Sequence, residues 1–134
     1  MLRRDFLILT TAVTLALPQS ARAAGEPYSP EALAAAQAAG ETILLDFTAS
    51  WCSTCAAQAR VLAALKAENP QYAARIRFID VDWDRWGNGD LARALNIPRR
   101  STLVAMKGER EIGRLVAQTG RAQIQALLDQ ALSA

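Results

Sequence analysis

Ile43-Leu44-Leu45-Asp46-Phe47-Thr48-Ala49-Ser50-Trp51-Cys52-Ser53-Thr54-Cys55 is the stretch on which the reading of this chain turns. Its first six residues form an apolar run of strand length, the pattern of a buried strand. From Cys52 to about Glu68 the chain reads as a helix, with Val61, Leu62 and Leu65 on one apolar face and Asn69-Pro70 as its stop. The two cysteines therefore fall where a buried strand gives way to a helix N-terminus. At such an end the unpaired backbone N–H groups and the helix dipole favour a thiolate. The dipole contributes about 0.3–1 kcal/mol, or ~2 in partly buried sites. At ~1.36 kcal/mol per pKa unit this lowers a thiol by roughly one unit. Cys52 is expected at the exposed position and gains most. Cys55 lies one turn deeper, spaced to attack a mixed disulfide held on Cys52. Ser53 and Thr54 are further candidates to donate a hydrogen bond to the thiolate.

Working outward, Ser29-Pro30-Glu31 reads as a helix start, with a capping hydroxyl, proline at the first helical position and an acid in the first turn. This helix is expected to run to about Ala39 and stop at Gly40. Before it, Ala24–Tyr28 reads as a short polar lead-in with no element of its own. Downstream, Ile76–Val81 is a second strand, so strand, helix and strand form a right-handed βαβ unit with parallel strands. Trp86-Gly87-Asn88-Gly89 is a loop, and Asp90 is expected to cap a short helix to Leu95. Thr102–Lys107 and Glu111–Val116 flank Gly108-Glu109-Arg110, the pattern of an antiparallel hairpin. A last helix from about Arg121 is expected to bury Ile124, Leu127, Leu128 and Ala131. The class is α/β, in one domain spanning residues 24–134.

Residues 1–23 read as a cleavable signal peptide. Met1–Arg4 is positive, Phe6–Leu17 is a short apolar stretch closed by Pro18, and Ala21-Arg22-Ala23 is a small-x-small cleavage signature. The apolar stretch is too short to span a bilayer comfortably, so no stable membrane anchor is expected after cleavage. Arg3-Arg4 followed by Asp5-Phe6-Leu7 resembles the twin-arginine export signal. A general secretory signal is the other route, and either one places the mature protein in the bacterial periplasm. There a cysteine pair is exposed to oxidation, so active reduction needs a supply of electrons.

Charge and composition exclude several classes. The chain has 15 basic and 13 acidic side chains. The leader holds Arg3, Arg4 and Arg22 against Asp5, so the remainder balances at 12 and 12. The basic excess belongs to the leader and gives no argument for nucleic-acid binding. With two cysteines and no histidine, one chain cannot complete a four-ligand zinc site or a Cys–His or Ser–His catalytic pair. A purely structural Cys52–Cys55 bridge would close so short a loop that it would be a weak staple. Asp80, Asp82 and Asp84 alternate at a strand end and read as one solvated face rather than a metal site. Trp83 and Trp86 read either as an apolar rim or as packing over the sheet edge.

Asp46 is anomalous within its strand. A buried carboxylate is costly unless paired, so its pKa should rise. A raised pKa suits a group that takes the Cys55 proton during exchange.

Asp46 through Cys55 resembles the active-site segment of the thioredoxin superfamily, and the likeness covers about residues 29–132. Among its members the chain is similar to periplasmic reducing proteins such as the C-terminal domain of the transmembrane thiol:disulfide reductase. The resemblance implies a thioredoxin-like fold with a central mixed four-stranded sheet flanked by helices. It implies a thiol–disulfide oxidoreductase with Cys52 as attacking thiol, Cys55 as resolving thiol and Asp46 as the buried acid behind them. Protein disulfides are the implied substrates, with no cofactor. A membrane electron donor would recharge the pair, since no nucleotide-binding pattern is present. Strong oxidants of this fold commonly carry a histidine between the cysteines, so Ser53-Thr54 points to a reductase. The family often places a lysine near the buried acid, and alignment puts Phe78 there.

The larger departure from the family is in Ile97-Pro98-Arg99-Arg100-Ser101-Thr102-Leu103. The family usually has a cis-proline just before the Thr-Leu strand, in a loop that holds an extended substrate segment through backbone hydrogen bonds. Here Ser101 stands at that place. A cis bond before a non-proline residue costs about 2.5–4 kcal/mol, so the Arg100–Ser101 bond is expected to be trans. Trp51, Arg100, Ser101 and Thr102 are the expected substrate-binding residues. Arg99 and Arg100 would lie near Cys52, where a cation lowers the thiol pKa or attracts an acidic partner. The alternative from another class is a metal or iron–sulfur binding protein using the same cysteines, since loss of the proline removes a group that crowds the thiols.

Overall fold

The computed structural model describes residues 25–134, so the leader reading lies outside the described residues. Strand β1 is only Glu26–Pro27. Helix α1, Pro30–Ala38, starts as its sequence directs: the Ser29 hydroxyl accepts from the Ala32 N–H, with Pro30 at the first turn. Strand β2 is Thr42–Thr48, and helix α2 follows over Ser53–Glu68. Asn69 then serves two helices. Its N–H donates to the Leu65 carbonyl to close α2, and its side chain accepts from the Gln71 N–H to open α3, Pro70–Arg75. The stop signal thus also starts a short helix that the sequence reading lacked.

Strand β3, Arg77–Asp82, is followed by the single turn α4, Trp83–Trp86, which the Asp82 side chain caps through the Asp84 N–H. Helix α5 is Asp90–Ala94, with Gly89 rather than Asp90 at the cap and no side-chain capping bond. Strands β4, Thr102–Lys107, and β5, Arg110–Val116, make the hairpin, and α6, Arg121–Ser133, ends the chain. Gly108, at φ +57°, makes the hairpin turn in the left-handed region that glycine adopts without steric cost.

The sheet order is β1-β3-β2-β4-β5, five strands rather than the expected four. The extra strand is β1, paired parallel to β3 through Glu26 opposite Ile79 and Pro27 opposite Asp80. Two polar or proline residues carry no alternation to read, so only pairing reveals the strand. Arg77 forms ion pairs with Glu26 and Glu41, fixing β1 to the sheet.

Strand β2 is central, parallel to β3 and antiparallel to β4. Alternation along it divides the core. Leu44 faces α2, α3 and α6 with Leu62, Leu65, Tyr72, Leu103, Ile124, Leu127, Leu128 and Ala131. Ile43, Leu45 and Phe47 face the other way, onto Leu33, Ala36, Ile79, Val81 and Ala92. Trp83 and Trp86 pack against this second cluster, and Trp86 meets Tyr28 edge-to-face at 5.0 Å. By the same alternation Asp46 points to the α2 side, beneath the helix that carries the cysteines. Among the described residues no helix is long and apolar enough to cross a membrane.

Candidate active site

Cys52 is the N-cap of α2, in extended conformation, and its sulfur accepts the Cys55 N–H at 3.1 Å. The expectation of a helix end presenting both sulfurs holds, but neither is well exposed. Cys52 is 6% and Cys55 2% exposed, both as free thiols. The exposed residue is Trp51, at 59%. Its indole N–H donates to both oxygens of Asp84 at 3.0 Å, and the Arg100 guanidinium lies 4.6 Å above its ring. Cation and carboxylate therefore hold the ring from its face and its edge.

Ser101 closes the site. Its hydroxyl oxygen lies 3.1 Å from the Cys52 sulfur and 3.1 Å from the Cys55 sulfur. A hydroxyl has one proton, so it donates to one sulfur while it can accept from the other. Burial pushes the Cys52 thiol up, but hydrogen bonds from Cys55, Ser101, the Cys55 N–H and Arg100 outweigh it and bring the pKa down from 9.0 to about 7. Arg100 is the smallest of these influences. The Arg99 guanidinium instead donates to the Arg100 carbonyl.

The Arg100–Ser101 bond is trans, and no cis bond occurs among the described residues. Ser101 adopts φ +63°, a left-handed conformation that costs an L-residue roughly 1–2 kcal/mol. The cost is offset by several bonds. Its N–H donates to the Phe47 carbonyl at 2.7 Å, and its carbonyl accepts from the Ala117 N–H at 2.8 Å and Gln58 Nε2 at 3.0 Å. Those backbone groups are engaged inside the protein. Thr102 is fully buried and donates to the Arg99 carbonyl at 2.8 Å, which ties the loop.

Asp46 is 8% exposed, and its Oδ1 has no hydrogen-bond partner. Burial pushes its carboxyl up to about 7, helped by the charges of Asp80 and Cys52 and opposed by Lys66. It borders a cavity of about 220 Å³ lined also by Gly25, Thr48, Ala59, Leu62, Lys66, Phe78 and Asp80. The residue opposite Asp46 on β3 is Asp80, not Phe78, which pairs with Leu44. The lysine missing from β3 comes from α2. Lys66 reaches this cavity with its ammonium 4.4 Å from the centre of the Phe78 ring.

Three residues of the site were not found by sequence reasoning. Gln58 was legible as a polar residue on a buried stripe with Cys55, Leu62 and Leu65. It is fully buried and donates to the carbonyls of Ser101 and Gln118. Lys66 follows Leu62 by one turn. Asp80 was read with Asp82 and Asp84 as one solvated face, but each has a separate task. Asp80 accepts from the Gly25 N–H at 3.1 Å, Asp82 caps α4, and Asp84 holds Trp51. Among the described residues no group of three or more cysteine, aspartate or glutamate side chains is placed to hold a metal ion.

Comparison with known proteins agrees with this geometry. A family described as thioredoxin-like matches residues 24–102. Thioredoxin C-2 of Corynebacterium nephridii is 32% identical over 88 residues, 66% of this chain and 77% of that protein. The crystal structure of Trxlp from Edwardsiella tarda superposes with a TM-score of 0.69 at 30% identity, covering 78% of this chain and 98% of that one. Malassezia sympodialis thioredoxin (Mala s 13) shares the fold, with a TM-score of 0.68 at 21% identity over 81% of this chain and 93% of its own. With two free sulfurs side by side at a helix start, on that fold, the chain belongs to the thioredoxin-like family and is a thiol–disulfide oxidoreductase.

Proposed function

We propose that this protein is exported by its twin-arginine-like leader and reduces protein disulfides in the bacterial periplasm. Thioredoxin-like proteins act on protein disulfides. What supports the direction is the environment of Cys52: a buried sulfur that accepts the Cys55 N–H and lies against the Ser101 hydroxyl, contacts that lower its pKa only to about 7. Thioredoxin, a reductant near ~−270 mV, has such a thiol at ~7. The strong oxidant DsbA, near ~−120 mV, has one at ~3.5.

The Cys52 thiolate attacks one sulfur of the substrate disulfide and releases the other as a thiolate. Asp46 takes the proton of Cys55. The Cys55 thiolate then attacks the Cys52 sulfur, forms the Cys52–Cys55 disulfide and releases the second substrate thiolate. Two electrons pass from the dithiol to the substrate, and the released thiolates take protons from water. A membrane electron donor then restores the dithiol, which an oxidising compartment makes necessary.

A redox titration of the pair in glutathione buffers, with Cys52→Ser as control, tests this reading. The expected potential lies well below that of the glutathione couple. A potential well above it reverses the direction to oxidation.

A further inference from the structure

Asp46 and Asp80 are register partners on neighbouring parallel strands, so both side chains project to the α2 face of the sheet. Cys55, Ala59, Leu62 and Lys66 follow at helical spacing along α2, and the last three line the same cavity as the two carboxylates. The cavity therefore lies along α2 from Ala59, one turn beyond Cys55, to Lys66. Asp80 borders it and also an open cleft of about 480 Å³ with Thr48, Asp82 and Asp84. One acid is buried with an oxygen lacking a partner, and the other stands between it and solvent.

Charge counting gives this arrangement a function. Asp46, Asp80 and Lys66 sum to minus one when all are ionised and to zero when the carboxylates hold one proton. A buried cluster favours the neutral state. Leu103, opposite Asp46 on β4, and the Gly25 N–H on Asp80 leave this count unchanged, and a Cys52 thiolate adds a negative charge that favours the held proton further. The cavity is large enough for water, which needs two to four polar partners.

We propose that Asp46 and Asp80 act as one proton-sharing pair across this cavity, with Lys66 as counter-ion. Asp80 is then a positioning residue that carries the Cys55 proton to solvent. The inference rests on the dithiol mechanism proposed above. In the step, Cys55–SH gives its proton to the Asp46 carboxylate, the proton moves to Asp80, and Asp80 releases it to water in the open cleft. No electrons move, and Asp46 returns to its ionised form. The two acids titrate as a pair.

The test uses Asp80→Asn, which keeps an acceptor for the Gly25 N–H, and Lys66→Gln. Asp46 is followed by carboxyl carbon NMR against pH. Each reduced protein is mixed with dithionitrobenzoate, whose first yellow thiolate reports attack by Cys52 and whose second reports resolution by Cys55. Asp80→Asn is expected to move the Asp46 midpoint down by about one unit, and Lys66→Gln to move it up. Asp80→Asn should slow the second release about tenfold relative to the first at pH 7, a modest part of the ~10²–10⁴ a positioned base supplies. Midpoints that stay fixed, or move the same way in both variants, overturn the pair. So does a second release in Asp80→Asn as fast as in the parent. If Asp80→Asn does not fold, an unmoved midpoint in Lys66→Gln overturns it alone. Failure of the dithiol mechanism reads differently: the parent itself, like Cys55→Ser, then gives no second release.

Discussion

The hydroxyl of Ser101 lies 3.1 Å from the sulfur of Cys52 and equally close to that of Cys55. A side chain in the place the family gives to proline thus contributes a hydrogen bond that proline cannot make. Hydrogen bonds to charged groups contribute about 1.5–3 kcal/mol, equivalent to roughly one to two pKa units. Ser101→Ala should therefore move the Cys52 thiol up from about 7. Alkylation by iodoacetamide at pH 6.5 should slow about tenfold. An unchanged pH profile would mean that the helix end alone holds the thiolate.

Restoring proline at residue 101 should harm the fold rather than repair it. The position has φ +63°, and its N–H is bonded to the Phe47 carbonyl. Proline fixes φ near −65° and has no N–H. Ser101→Pro should be less stable than Ser101→Ala by more than about 1 kcal/mol. Ser101→Gly, free to adopt positive φ, should exceed Ser101→Ala by about 1 kcal/mol. Urea midpoints of the three variants give this order directly.

Asp46 should cost stability as pH rises. Its folded pKa of about 7 lies above its ordinary 3.8, so the folded state holds a proton that the unfolded state has lost. Between these values stability falls with pH, and above about 7 the penalty is constant. At ~1.36 kcal/mol per unit the displacement corresponds to about 4 kcal/mol as an upper bound. Asp46→Asn should match the parent near pH 4 and exceed it by a few kcal/mol at pH 8. Equal stability at both pH values would contradict the burial argument.

Gln58 anchors the Ser101 loop to α2 through two buried hydrogen bonds. Gln58→Ala removes both and opens a void, at a cost of about 2–4 kcal/mol. The loosened Ser101 should also let the Cys52 thiol rise, in step with Ser101→Ala. Thermal unfolding and the alkylation profile measure the two effects separately.

The strand–helix junction at Cys52, the βαβ unit, the hairpin and the buried face of α6 were legible because each follows from local periodicity. Asp46 was legible because a carboxylate interrupts an apolar run. Gln58, Lys66 and Asp80 were harder to find because their roles arise from pairing across elements. Asp80 acquires its environment only when the β2–β3 register sets it opposite Asp46. The alternation of Asp80, Asp82 and Asp84 pointed to solvent, and α4 beginning at Trp83 broke that pattern. Strand β1 was invisible for a related reason. Two residues held by Arg77 and by pairing to β3 leave no periodic trace.

Gly25 packs so tightly that any side chain there would come within 2.9 Å of the Asp80 carboxylate or the Phe78 carbonyl. The N–H that Asp80 accepts at 3.1 Å therefore comes from a residue that leaves no room for a side chain. Replacing Gly25 by alanine would then push aside the acid opposite Asp46, so a backbone position with no chemistry of its own sets the packing behind the cysteines.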